Sequence, residues 1–195
     1  MYIILGDKLT WKEHLDHVNT KLCKSVGILN KLKHILSIDC LVKLYNSFVL
    51  PHLNYCNLIW GAASQSALSK VVITQKRAIK MVLKVPRNTP TDTIFTKSKL
   101  RTVGGINRVQ TSVFMYKYEY GLLPSGFHAK YTKNEVIHGH NTRQAILYHL
   151  PQIGTNRFKT SLYYRGPKIW NCLPNYLREI QTLPAFKSQI KQFFI

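Results

Sequence analysis

Carboxylates are scarce in this sequence: 8 Asp and Glu stand against 28 Lys and Arg over 195 residues. They are also scattered. Phosphoryl transfer on two metal ions needs paired acids at one point. The nearest two, Glu13 and Asp16, fall one turn apart at the start of a predicted helix, where negative charge complements the helix dipole. Cysteine is sparser still, with Cys23, Cys40, Cys56 and Cys172 and no CxxC pair. That removes the need for a disulfide framework and predicts buried free thiols in a reducing compartment. No stretch approaches the roughly 18 uninterrupted apolar residues of a membrane helix. The opening MYIILGDKLTW has too short an apolar run, and no leading positive charge, for a secretory signal. The expectation is an intracellular chain, nuclear or cytoplasmic, with no membrane partner. A GxSxG elbow, a papain-like cysteine context and a phosphate-cradling glycine loop are all missing, which argues against nucleophilic catalysis and P-loop chemistry.

Positive charge is what the chain has in excess. The formal charge is +20 and the pI about 10.0, and the basic residues run along the whole length, so the charge belongs to folded surfaces. Such a field attracts a polyanion by neutralising phosphates and releasing counterions, without reading sequence. Nucleic acid, as RNA or an RNA/DNA duplex, is the expected partner.

The apolar spacing is helical. Trp11, Leu15, Val18, Leu22, Val26, Leu29, Leu32 and Leu36 mark a long amphipathic helix, opened by a Thr10–Glu13 capping box. Asp39 is placed to cap a second helix through Phe48, broken at Pro51 and resumed to Gly61. Ser64 or Ser66 opens a third, closed by Pro86, on which Lys76, Lys80 and Lys84 form an i, i+4, i+8 stripe. A short helix from Thr91 or Asp92 precedes a fourth long one, Ile106 to Tyr120, stopped by Gly121 and Pro124. Beyond Ser125, glycines and prolines divide the chain into pieces too short for a core of their own. There, 142–150 reads as extended, while 160–172 and 184–194 read as helical. The fold expected is all-α: a helical bundle over 1–124 with a loop-rich, partly helical segment, 125–195, packed on it.

Two sets of cations stand out as candidate nucleic-acid contacts. Lys21, Lys24, Lys31 and Lys33 lie on the first helix, and Lys76, Arg77, Lys80, Lys84 and Arg87 on the third and its exit. Two antiparallel helices carrying these would flank a phosphate backbone. Tyr118 and Tyr131 are candidates for stacking on unpaired bases. His14 with His17, and His138 with His140, have short spacing but no companion cysteine, so they read as a surface pair and a polar loop, not a zinc site. Cys56 and His52, i and i+4, read as part of a packed aromatic cluster.

Five motifs in order, KLTWKEH at 8–14, KSVGILNKLKHIL after it, LPHLNYCNLIWG at 50–61, QKRAIKMVLKVPR at 75–87 and RGPKIWNCLP at 165–174, resemble the C-terminal part of non-LTR (LINE-type) retrotransposon reverse transcriptases. The resemblance covers nearly the whole chain. It implies a helical thumb that rests on template and primer, followed by a further C-terminal stretch. It also implies that the fingers, the palm aspartates and their Mg2+ belong to another polypeptide. On this reading the chain is a truncated piece of an RNA-directed DNA polymerase, with no catalytic residue, metal or cofactor of its own. In that family an aromatic-Leu-Gly strand is separated from the Asp before LTW. Here Leu5 and Gly6 abut Asp7, which fits a shortened or rearranged copy. The alternative is an interaction remnant that packs on a palm and fingers polypeptide, with no activity of its own.

Overall fold

The computed structural model describes residues 2–6, 10–127, 130–137 and 144–194. Among them every regular element is helical: twelve α-helices, one 3-10 turn and no strand. The protein is all-α, as its periodicity predicts. Two compact units emerge, Met1–Asn107 and Arg108–Phe194. The division falls inside a helix, whereas the sequence suggests a break near Pro124.

In the first unit, α1 (Lys12–Leu32) buries Leu15, Val18, Leu22, Ser25 and Leu29 on one face. Its start differs from expectation. Trp11, at φ 61, is the N-cap and no side chain caps the helix, so the Thr10–Glu13 box does not form. Ser37, not Asp39, caps α2 (Ile38–Phe48), accepting from the Cys40 N–H. Pro51 then sits in the first turn of α3 (Leu50–Asn54), where its missing N–H is harmless. The short α4 (Asn57–Trp60) ends at Gly61. A Cβ on Gly61 would lie 2.5 Å from the Asn57 carbonyl and 2.6 Å from Asn107 Nδ2, which donates to that same carbonyl, so only glycine fits.

Ser64 caps α5 (Gln65–Val82), whose buried face is Val71, Thr74, Gln75, Ala78, Ile79 and Val82. α1 and α5 are the main partners of this core. Lys70 pairs with Asp16 at 2.8 Å and Thr74 donates to Asn19 at 2.7 Å. Both numbers rise together along the two helices, so α1 and α5 run parallel, not antiparallel as expected. Gln75 is the polar centre: Nε2 donates to Tyr45 Oη at 3.0 Å and to the Arg101 carbonyl at 2.8 Å, and Oε1 accepts from the Val103 N–H at 3.1 Å. It thereby ties α2 and α5 to the start of α7 (Val103–Glu119), beyond α6 (Thr91–Ser98).

The second unit solves the problem of short pieces by packing them on the latter part of α7. Met115 and Tyr116 meet Tyr148, Trp170, Leu173, Leu177, Phe186 and Ile190. Apart from Tyr148, which precedes the helices of this group, these come from α10 (Leu162–Asn171), α11 (Asn175–Arg178), α12 (Leu183–Phe193) and the turns between them, while α8 (Asn134–Ile137) and α9 (Asn156–Thr160) lie at the surface. Tyrosine hydroxyls join the pieces. Tyr116 donates to the Ile180 carbonyl at 2.9 Å and Tyr120 to that of Arg178 at 3.1 Å. Tyr118 and Tyr131, expected at the surface for base stacking, are instead half-buried with their rings edge-on; the Tyr118 hydroxyl donates to the Tyr131 carbonyl and accepts from its N–H, and the Tyr131 hydroxyl donates to the Leu162 carbonyl. Residues 144–147 form a turn, and Tyr148 makes only an isolated bridge to Lys133, in place of the extended segment expected there.

Candidate nucleic-acid interface

The end of α5 shapes a cationic surface. Lys84 N–H donates to the Met81 carbonyl at 3.2 Å and Val85 N–H to that of Lys80 at 3.1 Å, the paired bonds of a Schellman turn. Such a turn needs a left-handed residue, and Lys84 supplies it at φ 54. The chain reverses, and Lys80 Nζ reaches the Arg87 carbonyl. The lysine stripe expected along one helix therefore breaks: Lys84 lies past the helix end.

This reversal encloses a cleft of about 690 Å3 between the C-terminal ends of α1 and α5. Lys33, Arg77, Lys80, Lys84 and Arg87 line it, with His34 beside them and Val26, Met81, Val85 and Pro86 as its apolar floor. Among the described residues no acid contributes to that lining. Two physical effects add here. The carbonyl ends of both helices favour cations at their last turns, which stabilises the lysines where they are. The apolar floor lowers the local dielectric, so an anion entering the cleft meets five cations at greater strength than in open water. The volume is that of a small-ligand pocket, enough for a short run of sugar and phosphate.

Five of the nine cations singled out in the sequence thus share one concave surface. Lys21 lies elsewhere, in a cavity of about 210 Å3 with His14, His17, His52, Tyr2 and Tyr55. Lys24, Lys31 and Lys76 line neither. His34 is the member that charge patterning missed. Its signal was its place directly after Lys33, at the end of the long helix.

The histidines correct the sequence reading. His14 is buried at 2% exposure, not a surface residue. Its Nδ1 accepts from the Ile4 N–H at 3.4 Å, and its buried Nε2 has no hydrogen-bond partner among the described residues. Burial holds the His14 and His52 imidazoles below the ordinary value of 6.5, helped by neighbouring positive charge from His17 and Lys21. Among the described residues no three His, Cys, Asp or Glu side chains are placed to hold a metal ion. His138 and His140 lie outside the described residues. Cys56 and His52 are not on one helix, because α3 ends at Asn54 and Cys56 is the left-handed N-cap of α4 at φ 49. The thiols are free but not buried: Cys23, Cys40 and Cys172 are exposed and Cys56 is half-buried. Each sits on the polar side of its helix or at a helix end, a facing that a small apolar residue does not reveal in sequence.

Among the described residues no helix is long and apolar enough to cross a membrane. No family model matches the chain, and no solved structure matches it. Over 87 residues, 43% of the chain, it is 29% identical to the RNA-directed DNA polymerase from mobile element jockey of Drosophila melanogaster. The match spans 10% of that protein's length.

Proposed function

We propose that the first unit holds the sugar-phosphate backbone of a nucleic acid in the Lys33–Arg77–Lys80–Lys84–Arg87 cleft. On this reading it is the thumb-like, template-primer-holding part of a retroelement RNA-directed DNA polymerase whose synthesis is performed elsewhere. The observation that carries the reading is the convergence of five cations on one apolar-floored cleft with no acid among the described residues that line it. The partial likeness to the jockey polymerase supports a reverse-transcriptase-like relationship, with which such a cleft is compatible. Contacts of this kind position a strand and do not read bases. The palm aspartates and their Mg2+ would be supplied by another polypeptide, which is also a partner on this reading.

Binding of the full chain to a primed RNA/DNA duplex is the test. If each cleft cation meets one phosphate, the logarithm of affinity falls with the logarithm of salt at a slope of about −4 to −5. In the double variant Arg77→Gln/Lys84→Gln the slope becomes shallower by about 2. A salt-independent affinity, or an unchanged slope in the variant, refutes the assignment.

A second reading is supported by Ile28, Ile35 and Ile38, which are 42%, 78% and 45% exposed around the junction of α1 and α2. Large apolar side chains grouped at the surface suit a protein contact, here with a palm and fingers polypeptide. Under this reading Ile35→Ser abolishes association with that polypeptide and leaves duplex binding intact. Under the first reading alone it changes neither.

A further inference from the structure

We propose that the second unit carries its own binding site for single-stranded nucleic acid, separate from the cleft of the first. A pocket of about 690 Å3 opens there, lined by Arg108 of α7, Lys159 of α9, Arg165 and Lys168 of α10, and the aromatic rings of Tyr164 and Phe193. Four cations from three helices converge on it, and no acid lies among the described residues that line it. The unit's few carboxylates are engaged or turned elsewhere. Glu119 is bonded to Lys133 at 2.9 Å and to the Tyr148 hydroxyl, while Glu135 and Glu179 are exposed outside the pocket.

The aromatic wall distinguishes this pocket from the first cleft. Phe193, at the end of α12, is 44% exposed and meets Phe194 edge-on at 5.1 Å. Lys168 Nζ lies over the Tyr164 ring, 5.8 Å from its centroid, so a cation and an aromatic ring sit together in the pocket wall, and Phe193 supplies the exposed ring face. Rings beside cations suit a ligand that has both a flat face and a phosphate. In a duplex the base faces are already stacked on one another, whereas a single strand offers them. Arg165 strengthens the choice. Burial lowers its pKa to about 10, which leaves it charged at neutral pH in a wall partly withdrawn from water, where attraction to a phosphate is stronger.

Cys172 provides a local reporter, because it lines the pocket and is exposed. The test measures alkylation of Cys172 in the full chain by peptide mass, with Cys23 and Cys40, exposed in the first unit, as internal references. It is run on the native sequence and on Arg77→Glu/Lys84→Glu, which removes the first cleft's attraction. Short oligothymidine is expected to slow alkylation of Cys172 in both. Phe193→Ala or Lys168→Ala, both at exposed positions, is expected to raise the oligothymidine concentration needed for that protection about tenfold. Three results would overturn the proposal. One is no protection of Cys172 in either chain. Another is protection that vanishes in the first-cleft variant yet persists in Phe193→Ala and Lys168→Ala. The third is equal protection by inorganic polyphosphate at matched phosphate concentration, which would leave the aromatic wall without a role. Failure of the first cleft alone would appear only in the duplex salt slope.

Discussion

Replacing Gln75 by Leu tests the link between the fold of the first unit and its cationic cleft. The side chain is 1% exposed and makes three hydrogen bonds, to the Tyr45 hydroxyl, the Arg101 carbonyl and the Val103 N–H. Leucine fills a similar space but can make none of them. Each buried group that loses its partner costs about 1 to 3 kcal/mol, and at the lower end the three together cost about 3 kcal/mol. That is a large share of the roughly 5 to 15 kcal/mol that holds a domain folded. Hydrogen exchange of α5 amides reads it directly, because buried helix amides exchange through opening of the unit. A loss of about 3 kcal/mol accelerates their exchange about a hundredfold. Gln65→Leu, exposed at the start of the same helix, should change it by less than about threefold. Acceleration under about fivefold in Gln75→Leu would refute the claim that this amide organises the unit.

Gly61→Ala should destabilise the first unit by about 1 to 3 kcal/mol through overpacking against Asn57 and Asn107. Gly27→Ala, in the middle of α1 with nothing within 4 Å of the new methyl, should stabilise it by about 0.5 to 1 kcal/mol; urea titration separates the two signs. His14 and His52 have pKa values lowered by burial, so the unfolded chain binds more protons than the folded one just below pH 6.5. Their stabilisation is complete above that pH and declines as pH falls through the lowered values. Thermal melts from pH 8 to 5 should show this loss, and His52→Gln should reduce it; an identical pH dependence in the variant counts against the assignment. Tyr148→Phe removes the hydroxyl bonded to Glu119 and should cost the second unit about 1.5 to 3 kcal/mol. Hydrogen exchange in α10 and α12 measures it, and an unaltered rate would mean the bond contributes nothing.

Helix positions were legible because they follow from apolar spacing and punctuation. Ser64, Gly61, Gly121 and Pro86 bound their helices as their chemistry requires. Less local facts were not legible. The parallel course of α1 and α5 depends on α2, α3 and α4 together returning the chain to the same end, and no residue pattern within either helix encodes that. α7 reads as one helix, yet its first turns serve one core and its later turns another, since Ile106 faces the first and Met115 and Tyr116 the second. The tyrosines at 116, 118, 120, 131 and 148 look amphipathic in sequence. Their hydroxyls end on backbone carbonyls and on Glu119, partners far along the chain that periodicity cannot supply. The cleft was half visible: Arg77, Lys80, Lys84 and Arg87 are near neighbours in sequence, while Lys33 joins them only through helix packing.

The same Schellman turn ends α5 and α7. At α7 the left-handed position is Gly121, at φ 64, the residue type that adopts it without penalty. At α5 it is Lys84, for which that conformation is disfavoured by about 1 to 2 kcal/mol. Backbone comfort and positive charge therefore pull residue 84 in opposite directions. Glycine or asparagine there would relieve the backbone but remove a cation from the cleft. Lys84→Gly should therefore make the first unit more stable and its hold on an anion weaker, two effects that urea titration and duplex binding read separately.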